Sequence, residues 1–228
     1  MALLDICNLN SYYGKSHVIY DVDINVNTGE IVSVVGRNGV GKTTILKSVM
    51  SLVEKKNSKV TFKGLDITNL ATYKISKAGI GFIPDKGGVF LDLTVEENFK
   101  LALKKGGYNY EEILALFPQI KPLIKRRGGH LSGGERRLVG IARALLMSQD
   151  LLLIDEPSEG LAPSIVKEIA SVLLELRKTG ISILFADQNI GFILDISDKI
   201  YIVDNGQIKA EGYRDEITKE LLESYISI

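Results

Sequence analysis

The sequence predicts an α/β fold built on a mainly parallel core sheet, and three observations support that prediction. Residues 31–35 (IVSVV) and 151–154 (LLLI) are apolar runs of the kind found in strands that are buried on both faces of a sheet. A glycine-rich loop at 36–43 joins the first run to a helical pattern. After residue 150 strand and helix patterns alternate, which is typical of parallel strands joined by right-handed crossovers.

The N-terminal part of the chain is predicted to be rich in strands. Segments LLDICNL (3–9) and VIYDVDINV (18–26) precede a turn at 27–29, and the second alternates polar and apolar residues. Further strands are expected at 60–64 (VTFKG) and 79–83 (GIGFI). We expect the first segments to form an N-terminal antiparallel β-subdomain.

Residues from about 86 to 148 have a helical pattern instead. In TVEENFKLAL, Thr94 is the predicted N-cap, and Glu97 three residues later completes a capping-box sequence. YEEILALF and ERRLVGIARALLM are two further helical segments. The basic run at 121–127 is expected to be a solvated face of this helical region rather than a lipid or nucleic-acid patch.

The segments after residue 150 return to the core. LLLID is followed by a helix from Pro163, where proline suits the first helical position, and then by strands ISILFA, IYIV and QIKAEG. We therefore predict a single domain over 1–228, with its core at 1–85 and 149–228. An α-helical subdomain is inserted at about 86–148.

Composition and charge argue against several classes of protein. Lys plus Arg and Asp plus Glu number 28 each, so no excess of positive charge exists to attract phosphate backbones, and we expect no nucleic-acid partner. Cys7 is the only cysteine, so no internal disulfide forms and a reducing cytosol fits. The longest stretch without Asp, Glu, Lys or Arg is 6–14, well short of the ~20 residues of a membrane helix. We expect neither a membrane span nor a signal peptide.

The glycine-rich loop has the sequence of a phosphate-binding loop. Its residues are Gly36, Arg37, Asn38, Gly39, Val40, Gly41, Lys42, Thr43 and Thr44. The glycines allow backbone N–H groups to face an anion, and the following helix adds its N-terminal dipole. Lys42 can reach the β- and γ-phosphates of ATP, and the Thr43 hydroxyl can hold Mg²⁺. An ordinary glycine turn is the alternative, and the flanking strand and helix argue against it.

A pair of carboxylates ends the strand LLLID. Asp155 and Glu156 are predicted at the carboxyl edge of the sheet, where α/β folds bind their ligands. We expect Asp155 to bind Mg²⁺ through water and Glu156 to act as general base on the attacking water. Two solvated acids at a strand end are the alternative, and the phosphate loop in the same chain argues against it.

A second anion site is predicted at LSGGE, where the helix ERRLVGIARALL begins. Ser132, Gly133, Gly134 and Glu135 would offer exposed N–H groups and a hydroxyl at a helix N-terminus. A simple capped helix is the alternative. The order of phosphate loop, LSGGE and LLLIDE along the chain favours the functional interpretation.

With these motifs in this order, essentially the whole chain resembles the ATP-binding-cassette (ABC) ATPases. The resemblance implies a P-loop NTPase fold of the cassette type, with ATP and Mg²⁺ as ligands. It also implies a head-to-tail dimer, in which each ATP lies between the phosphate loop of one subunit and the LSGGE of the other. By the same resemblance Tyr13, in YYG, stacks on adenine. Tyr12 is the second candidate, and an ordinary strand-end aromatic is the alternative.

The segments YYG, GRNGVGKTT, FPQIKPLIKRR, EPSEGLAP and ADQN more closely resemble the short ATPase subunit of branched-chain and hydrophobic amino acid importers. That resemblance implies integral membrane permease subunits, a second cassette that is identical or different, and a place on the cytoplasmic face of the cell membrane. Related cassettes serve urea or amide importers and lipopolysaccharide exporters. The sequence leaves these open, together with the transported solute.

Three positions depart from the usual pattern of the family. Asp85, in GFIPDKGG, stands where most cassettes have a Gln that reaches Mg²⁺ and the attacking water, and we expect it to approach the metal only in the closed state. Two like charges about 4 Å apart cost roughly 4 kcal/mol at an effective dielectric of 20, so Asp85 requires Mg²⁺ or a cation such as Lys86. A solvent-facing loop acid is the alternative for Asp85.

The other two departures are Gln188 and Ala162. Gln188 replaces the usual switch histidine but can still donate a hydrogen bond to the γ-phosphate. Ala162 stands where many cassettes have an Asp.

The segment GGVFLDLTVEEN, residues 87–98, lies where members of the family receive the coupling helix of the permease. For Phe90 and Leu91 the sequence leaves two alternatives, burial in the core or a place in that groove.

The leading hypothesis is the energy-coupling ATPase subunit of a membrane transporter, most simply an importer of amino acids or similar small solutes. A soluble cassette ATPase acting on ribosomes, DNA or iron–sulfur assembly is a second hypothesis. The chain has neither the second cassette nor the long coiled coil of such proteins. A third is a nucleotide-binding partner that no longer hydrolyses ATP, and Glu156 argues against it.

Overall fold

The strands of the computed structural model lie in two sheets, one antiparallel and one mainly parallel. The structure describes residues 2–104, 107–147 and 149–226. The extreme ends of the predicted domain, and positions 105, 106 and 148 of the predicted helical subdomain, lie outside the described residues.

The strands are β1 Leu4–Tyr13, β2 Ser16–Val26, β3 Ile31–Val35, β4 Glu54–Lys55, β5 Lys59–Phe62, β6 Leu65–Asp66, β7 Ile80–Ile83, β8 Leu151–Asp155, β9 Ser182–Asp187, β10 Lys199–Asp204 and β11 Gln207–Tyr213. The α-helices are α1 Lys42–Val49, α2 Thr72–Ala78, α3 Val95–Ala102, α4 Tyr110–Leu116, α5 Gly133–Leu145, α6 Pro163–Lys178, α7 Ile190–Ile196 and α8 Lys219–Ile226. Short 3₁₀ helices span Pro118–Leu123 and Gly128–His130.

The core sheet has the order β11-β10-β3-β9-β8-β7, and only the β10–β11 pair is antiparallel. Every residue of β3, β8 and β9 is buried. Along β3, Ile31 and Val35 pack into the apolar cluster that contains α3 to α7, whereas Val32 and Val34 pack into the cluster that contains α1 and the antiparallel sheet. The predicted mainly parallel sheet, covered on both faces, is confirmed.

The antiparallel sheet has the order β2-β1-β5-β6, with β4 pairing to β1. Its first two strands are longer than the sequence suggested, and β1 continues to Tyr13. Polar residues at 10 and 11 interrupt the apolar pattern, but the side chains of both are buried and hydrogen-bonded. Asn10 Nδ2 donates to Asp21 Oδ1 (2.8 Å), and the Ser11 and Ser48 hydroxyls are 2.7 Å apart.

Helices of the region after β7 begin at side-chain caps. Thr94 and Glu97 form the predicted capping box at the start of α3, and Ser132 and Glu135 form another at the start of α5. The helical pattern expected from residue 86 begins only at 95. In the basic run, Lys125 is exposed and pairs with a glutamate of α3, as expected of a solvated face.

Phe90 and Leu91 are 49% and 51% exposed, so of the two alternatives left open by the sequence, burial in the core does not apply. Their segment turns across the surface before α3 and is held by its backbone. Phe90 N donates to the buried Asn98 Oδ1 (2.8 Å), and Asn98 Nδ2 donates back to Phe90 O (3.0 Å). Both apolar side chains are therefore presented to the outside.

The carboxyl ends of the parallel strands place the candidate residues along one edge of the core sheet. The glycine-rich loop follows β3, Asp85 follows β7, Asp155 ends β8 with Glu156 directly after it, and Gln188 follows β9. Neighbouring parallel strands meet at such an edge, so segments far apart in sequence share one site. Within the described part of the chain, no helix combines the length and apolarity required to cross a lipid bilayer.

Candidate nucleotide-binding and catalytic site

The loop between β3 and α1 has the backbone of an anion-binding turn. Gly36 approaches β10 so closely that a Cβ there would collide with the carbonyl oxygen of Val203. Gly41 has φ +113° and is the N-cap of α1. Because glycine has no side chain, it cannot cap the first N–H groups of the helix. The first N–H groups of α1 therefore face outward, together with the positive end of the helix dipole, and this arrangement suits a phosphate.

Lys42 lies inside the turn that it terminates. Its Nζ donates to Gly36 O and Arg37 O, each at 2.8 Å, and lies 3.5 Å from Asn38 Oδ1. The side chain is only 3% exposed. Burial lowers the pKa of Lys42, and the nearby carboxylates, Glu156 first among them, oppose that change. Phosphate oxygens could replace the two carbonyl acceptors without moving the ammonium group far.

Thr43 and Asp155, which are 112 residues apart in the sequence, meet in the folded chain. Thr43 Oγ1 donates to Asp155 Oδ1 at 2.8 Å. Asp155 is 3% exposed, and burial raises its pKa while the Thr43 hydrogen bond opposes the change. A hydroxyl and a buried carboxylate side by side are oxygen ligands of the kind that Mg²⁺ prefers beside substrate phosphates. These two residues fit the metal that the sequence predicted.

Glu156 begins the loop after β8 in a strained backbone conformation. Its φ is +48°, in the left-handed region that costs a non-glycine residue about 1 kcal/mol or more. Its N–H donates to Ala186 O at 2.8 Å, which holds the residue against β9. Burial, followed by a hydrogen bond and repulsion from Glu159, raises the pKa of Glu156 to about 7. A base with a pKa near neutrality is suited to take a proton from water.

Asp187 organises two segments of the site, and the sequence analysis missed it. Its carboxylate is 1% exposed and accepts from Ser158 N and Ser158 Oγ, both at 2.9 Å. Oδ1 also accepts from Gln188 N at 2.7 Å. Gln188 is thus fixed through its backbone, directly after β9. The available signal was the position of Asp187, an acid that ends the apolar strand next to that of Asp155.

Asp85 lies on the exposed turn after β7, and its Oδ1 accepts from Lys86 N at 2.9 Å. Its charge contributes to the raised pKa of Asp155, after burial. The buried cation near Asp85 is Arg137 of α5, which the sequence analysis also missed. Burial lowers the pKa of Arg137, and Asp187 and Asp85 are the first carboxylates that oppose the change.

The β1–β2 hairpin lies beside the phosphate loop. Gly206 links the two elements, because its N–H donates to Val40 O and its carbonyl accepts from Tyr20 N, both at 2.9 Å. The Tyr12 ring already stacks on His17, with centroids 4.2 Å apart. Tyr13 is 49% exposed, so of the two tyrosines its ring is the freer to stack on a base.

A cavity of about 110 Å³ collects the residues of this edge. It is lined by Val18, Gly39, Gly41, Lys42, Thr43, Thr44 and Glu156. Small-molecule sites usually enclose ~300 Å³ or more. The cavity therefore accommodates a phosphate chain but leaves the rest of a nucleotide uncovered.

The LSGGE residues form a separate surface. Ser132 Oγ accepts from Glu135 N at 3.2 Å, and Glu135 Oε2 accepts from Ser132 N at 2.7 Å. Ser132 and Gly133 are exposed, and Gly134 packs so tightly against Ile165 of α6 that it leaves little room for a side chain. None of residues 132–135 lines the cavity at the phosphate loop of the same chain.

Comparison with known proteins agrees with these motifs. The sequence profile of the family described as ABC transporter matches residues 19–159. The chain is 35% identical to the high-affinity branched-chain amino acid transport ATP-binding protein BraG of Pseudomonas aeruginosa, over 90% of this chain and 91% of that protein. It is also 35% identical to the lipopolysaccharide export system ATP-binding protein LptB of Haemophilus influenzae, over 96% and 94%. A solved nucleotide-free ATP-binding cassette from an ABC transporter is 28% identical, covers 100% of this chain and 96% of its own length, and has a TM-score of 0.85.

Proposed function

Because the chain belongs to the ABC transporter family and is an ATPase of that family, we propose that it is the energy-coupling subunit of a membrane transporter. The observation that carries the proposal is the meeting of the phosphate loop with Thr43, Asp155 and Glu156 at one edge of the core sheet. We further propose that the transporter imports branched-chain or other hydrophobic amino acids, as the name of the similar protein BraG suggests.

ATP binding is assigned to the phosphate loop and the hairpin beside it. The N–H groups of residues 36–44 hold the phosphate chain, and Lys42 exchanges the carbonyls of Gly36 and Arg37 for phosphate oxygens. Tyr13 stacks on the adenine. Only the triphosphate is enclosed by this chain, in keeping with the small cavity.

Hydrolysis is assigned to Asp155, which ends β8, and to Glu156 directly after it. Thr43 and Asp155 would hold Mg²⁺, directly or through water, and the metal would supply positive charge to offset the negative charge of the phosphates. Glu156 accepts the proton of the attacking water, for which it must itself be ionised. Gln188, held through its backbone N–H, would donate a hydrogen bond to the γ-phosphate, and Asp85 would offer a further oxygen ligand for the metal in the closed site.

The remaining wall of the site comes from a second cassette. In a head-to-tail dimer, the exposed Ser132 and Gly133 N–H groups at the start of α5 cover the ATP held by the partner's phosphate loop. The capping box keeps this turn ordered, and Glu135 is further held by Arg126 at 3.0 Å.

Docking to the membrane subunits is assigned to a groove on the other side of the 84–88 turn. A cavity of about 260 Å³ lies between Leu52, Phe82 and Met147. Leu52 and Phe90 are 51% and 49% exposed, although both are apolar. Such exposed apolar side chains beside a groove are typical of a surface that a partner covers. We assign the protein to the cytoplasmic face of the cell membrane, bound there to the membrane subunits.

An exporter of lipopolysaccharide is the second candidate, because LptB is as similar in identity as BraG and is matched over slightly more of the chain. The ATPase residues do not separate these functions, since the solute contacts other subunits.

Purification from the native membrane tests the proposal. A tagged chain is solubilised in mild detergent, and the proteins that accompany it are identified by mass spectrometry. We expect integral membrane subunits and a second cassette, and proteoliposomes of the complex should take up labelled leucine, isoleucine or valine only with ATP. A Phe90→Asp chain should lose the membrane subunits but keep its own ATP binding. Co-purification without any membrane protein would contradict the proposal, and ATP-driven release of lipopolysaccharide would favour the exporter.

A further inference from the structure

Arg137 is a buried charge that the mechanism above does not use. It lies on α5 and is 6% exposed. Its Nη1 donates to the backbone carbonyl of Asp155 at 2.8 Å. On the same helix, Gly134 packs against Ile165 of α6, and a Cβ at Gly140 would collide with the carbonyl of Gly87. The helix is thus pressed between α6 and the turn that carries Asp85, with Arg137 aimed at the end of β8.

The hydrogen bond of Arg137 acts on the peptide unit that joins Asp155 to Glu156. The carbonyl of this unit accepts from Arg137 (2.8 Å), and its N–H donates to Ala186 O (2.8 Å). A peptide unit is planar, so bonds at both of its ends fix its orientation. The next torsion angle is the φ of +48° at Glu156. Arg137 therefore holds one end of the peptide that aims the Glu156 side chain.

The charge of Arg137 is matched to its surroundings. Four carboxylates act on it, those of Asp187, Asp85, Asp155 and Glu156. A buried cation without such partners would be strongly destabilising. Conversely, the clustered carboxylates would repel one another without it. Arginine remains charged in this setting, whereas a lysine can lose its proton when it is buried.

We propose that Arg137 is a positioning residue for hydrolysis: it fixes the Asp155–Glu156 peptide and links α5 to the catalytic edge of the same chain. The inference rests on the proposed function, because the N-terminus of α5 covers the ATP of the partner. Arg137 lies five residues after Ser132, about 7.5 Å along the helix axis. A displacement of α5 by the partner's nucleotide is thereby transmitted to the general base of the chain's own site.

The test compares steady-state hydrolysis of Mg-ATP by the full-length chain and its variants. Arg137→Gln removes the guanidinium charge, and Arg137→Lys retains an amino group that can donate to the Asp155 carbonyl and is charged when protonated. Arg143→Gln is the matched control, because Arg143 lies on the same helix, is also largely buried and also donates to a backbone carbonyl, that of Gly88 at 2.9 Å. Arg143 contacts the Phe90 ring rather than the carboxylates, and the assay contains no membrane subunit.

We expect Arg137→Gln to lower kcat by 10- to 100-fold, on the order of a lost hydrogen bond to a charged group. KM for ATP should stay within about threefold, because the phosphate loop is untouched. In Arg137→Lys the decrease in log kcat should be at most two thirds of the decrease in Arg137→Gln. Arg143→Gln should stay within about threefold of wild type in kcat.

The outcomes separate the two proposals. A wild-type chain that does not hydrolyse ATP, alone or with its partner cassette, contradicts the proposed function. A wild-type chain that hydrolyses ATP while Arg137→Gln keeps kcat within twofold overturns this inference alone, as does an equal loss in Arg143→Gln. If Arg137→Gln does not fold, it is combined with Asp85→Asn, which removes one of the repelling carboxylates, and compared with Asp85→Asn alone. A kcat within twofold of that single variant, or failure of the combination to fold, also overturns the inference.

Discussion

Among single residues, Glu156 carries its charge in an unfavourable setting. Its pKa is raised from 4.5 to about 7, first by burial and then by the hydrogen bond and charge of Glu159. The folded state therefore binds this proton more tightly than the unfolded chain. The resulting stability is fully present below pH 4.5 and is lost as the pH rises through about 7. Ionisation of Glu156, which hydrolysis requires, therefore lowers the free energy of unfolding.

Because ionisation of Glu156 destabilises the folded chain, the stability of Glu156→Gln should differ from that of wild type in a way that depends on pH. The amide cannot ionise, so the variant escapes the loss of stability above neutral pH. We expect its melting temperature, measured without nucleotide, to exceed that of wild type by more at pH 8 than at pH 5, while hydrolysis at pH 8 is abolished. Glu159→Gln should show a smaller gain in the same direction, because Glu159 is a secondary cause of the shift. A difference in melting temperature between wild type and Glu156→Gln that is the same at pH 5 and pH 8 would contradict the prediction.

The same residues mark the limit of what the sequence could predict about the site. The sequence identified four of the site residues because each belongs to a short contiguous motif with known chemistry: Lys42, Thr43, Asp155 and Glu156. Arg137 was not, because its partners come from β7, β8 and β9, and only the folded sheet edge brings them together. A buried arginine on a helix face that is otherwise apolar was the only signal.

At the scale of elements, α3 and α5 begin with the same type of cap, but only the start of α5 is expected to contact a nucleotide. Each has a capping box, Thr94 with Glu97 and Ser132 with Glu135. The hydroxyl accepts from the N–H three residues on, at 3.2 Å in both. Loss of such a cap costs about 1 kcal/mol. If Ser132 only capped α5, its removal would have the same consequences as removal of Thr94.

We therefore predict that Ser132→Ala and Thr94→Ala lower the free energy of unfolding by a similar amount, about 1 kcal/mol each. Only Ser132→Ala should also lower ATP hydrolysis, by about tenfold, because its hydroxyl is assigned to the partner's nucleotide as well. Urea unfolding and ATPase rates of the two variants provide the check. Equal ATPase activity in both would show that Ser132 is only a cap.

Elements that are buried on both faces were the most predictable. β3, β8 and β9 have no exposed residue, and their apolar runs placed them correctly from sequence. The helices α2 and α8 were not predicted, since each buries a single side chain, Ile75 and Leu222. A helix with so small an apolar face has no periodic pattern to detect, and its position is decided by the elements around it.

For the whole molecule, the separation of the two anion sites has a consequence for assembly. The cavity at the phosphate loop contains none of residues 132–135, and Ser132 and Gly133 are exposed elsewhere on the surface. A symmetric head-to-tail dimer would unite them twice, once at each ATP. Each complete site would then combine the phosphate loop of one chain with the α5 N-terminus of the other.

Mixing two inactive variants tests this arrangement. Lys42→Ala removes the phosphate-binding ammonium. Gly133→Asp puts a negative charge beside the partner's ATP, yet it should fold, since a Cβ there has room and an acid suits a helix N-terminus. A mixed dimer has one site with both halves intact. With random pairing of equal amounts, we expect about a quarter of wild-type activity, because half of the dimers are mixed and each has one working site. Each variant alone should be inactive, and so should Lys42→Ala mixed with a chain that carries both changes. If sedimentation shows dimers but mixing restores nothing, each ATP site lies within one chain and the head-to-tail arrangement is wrong.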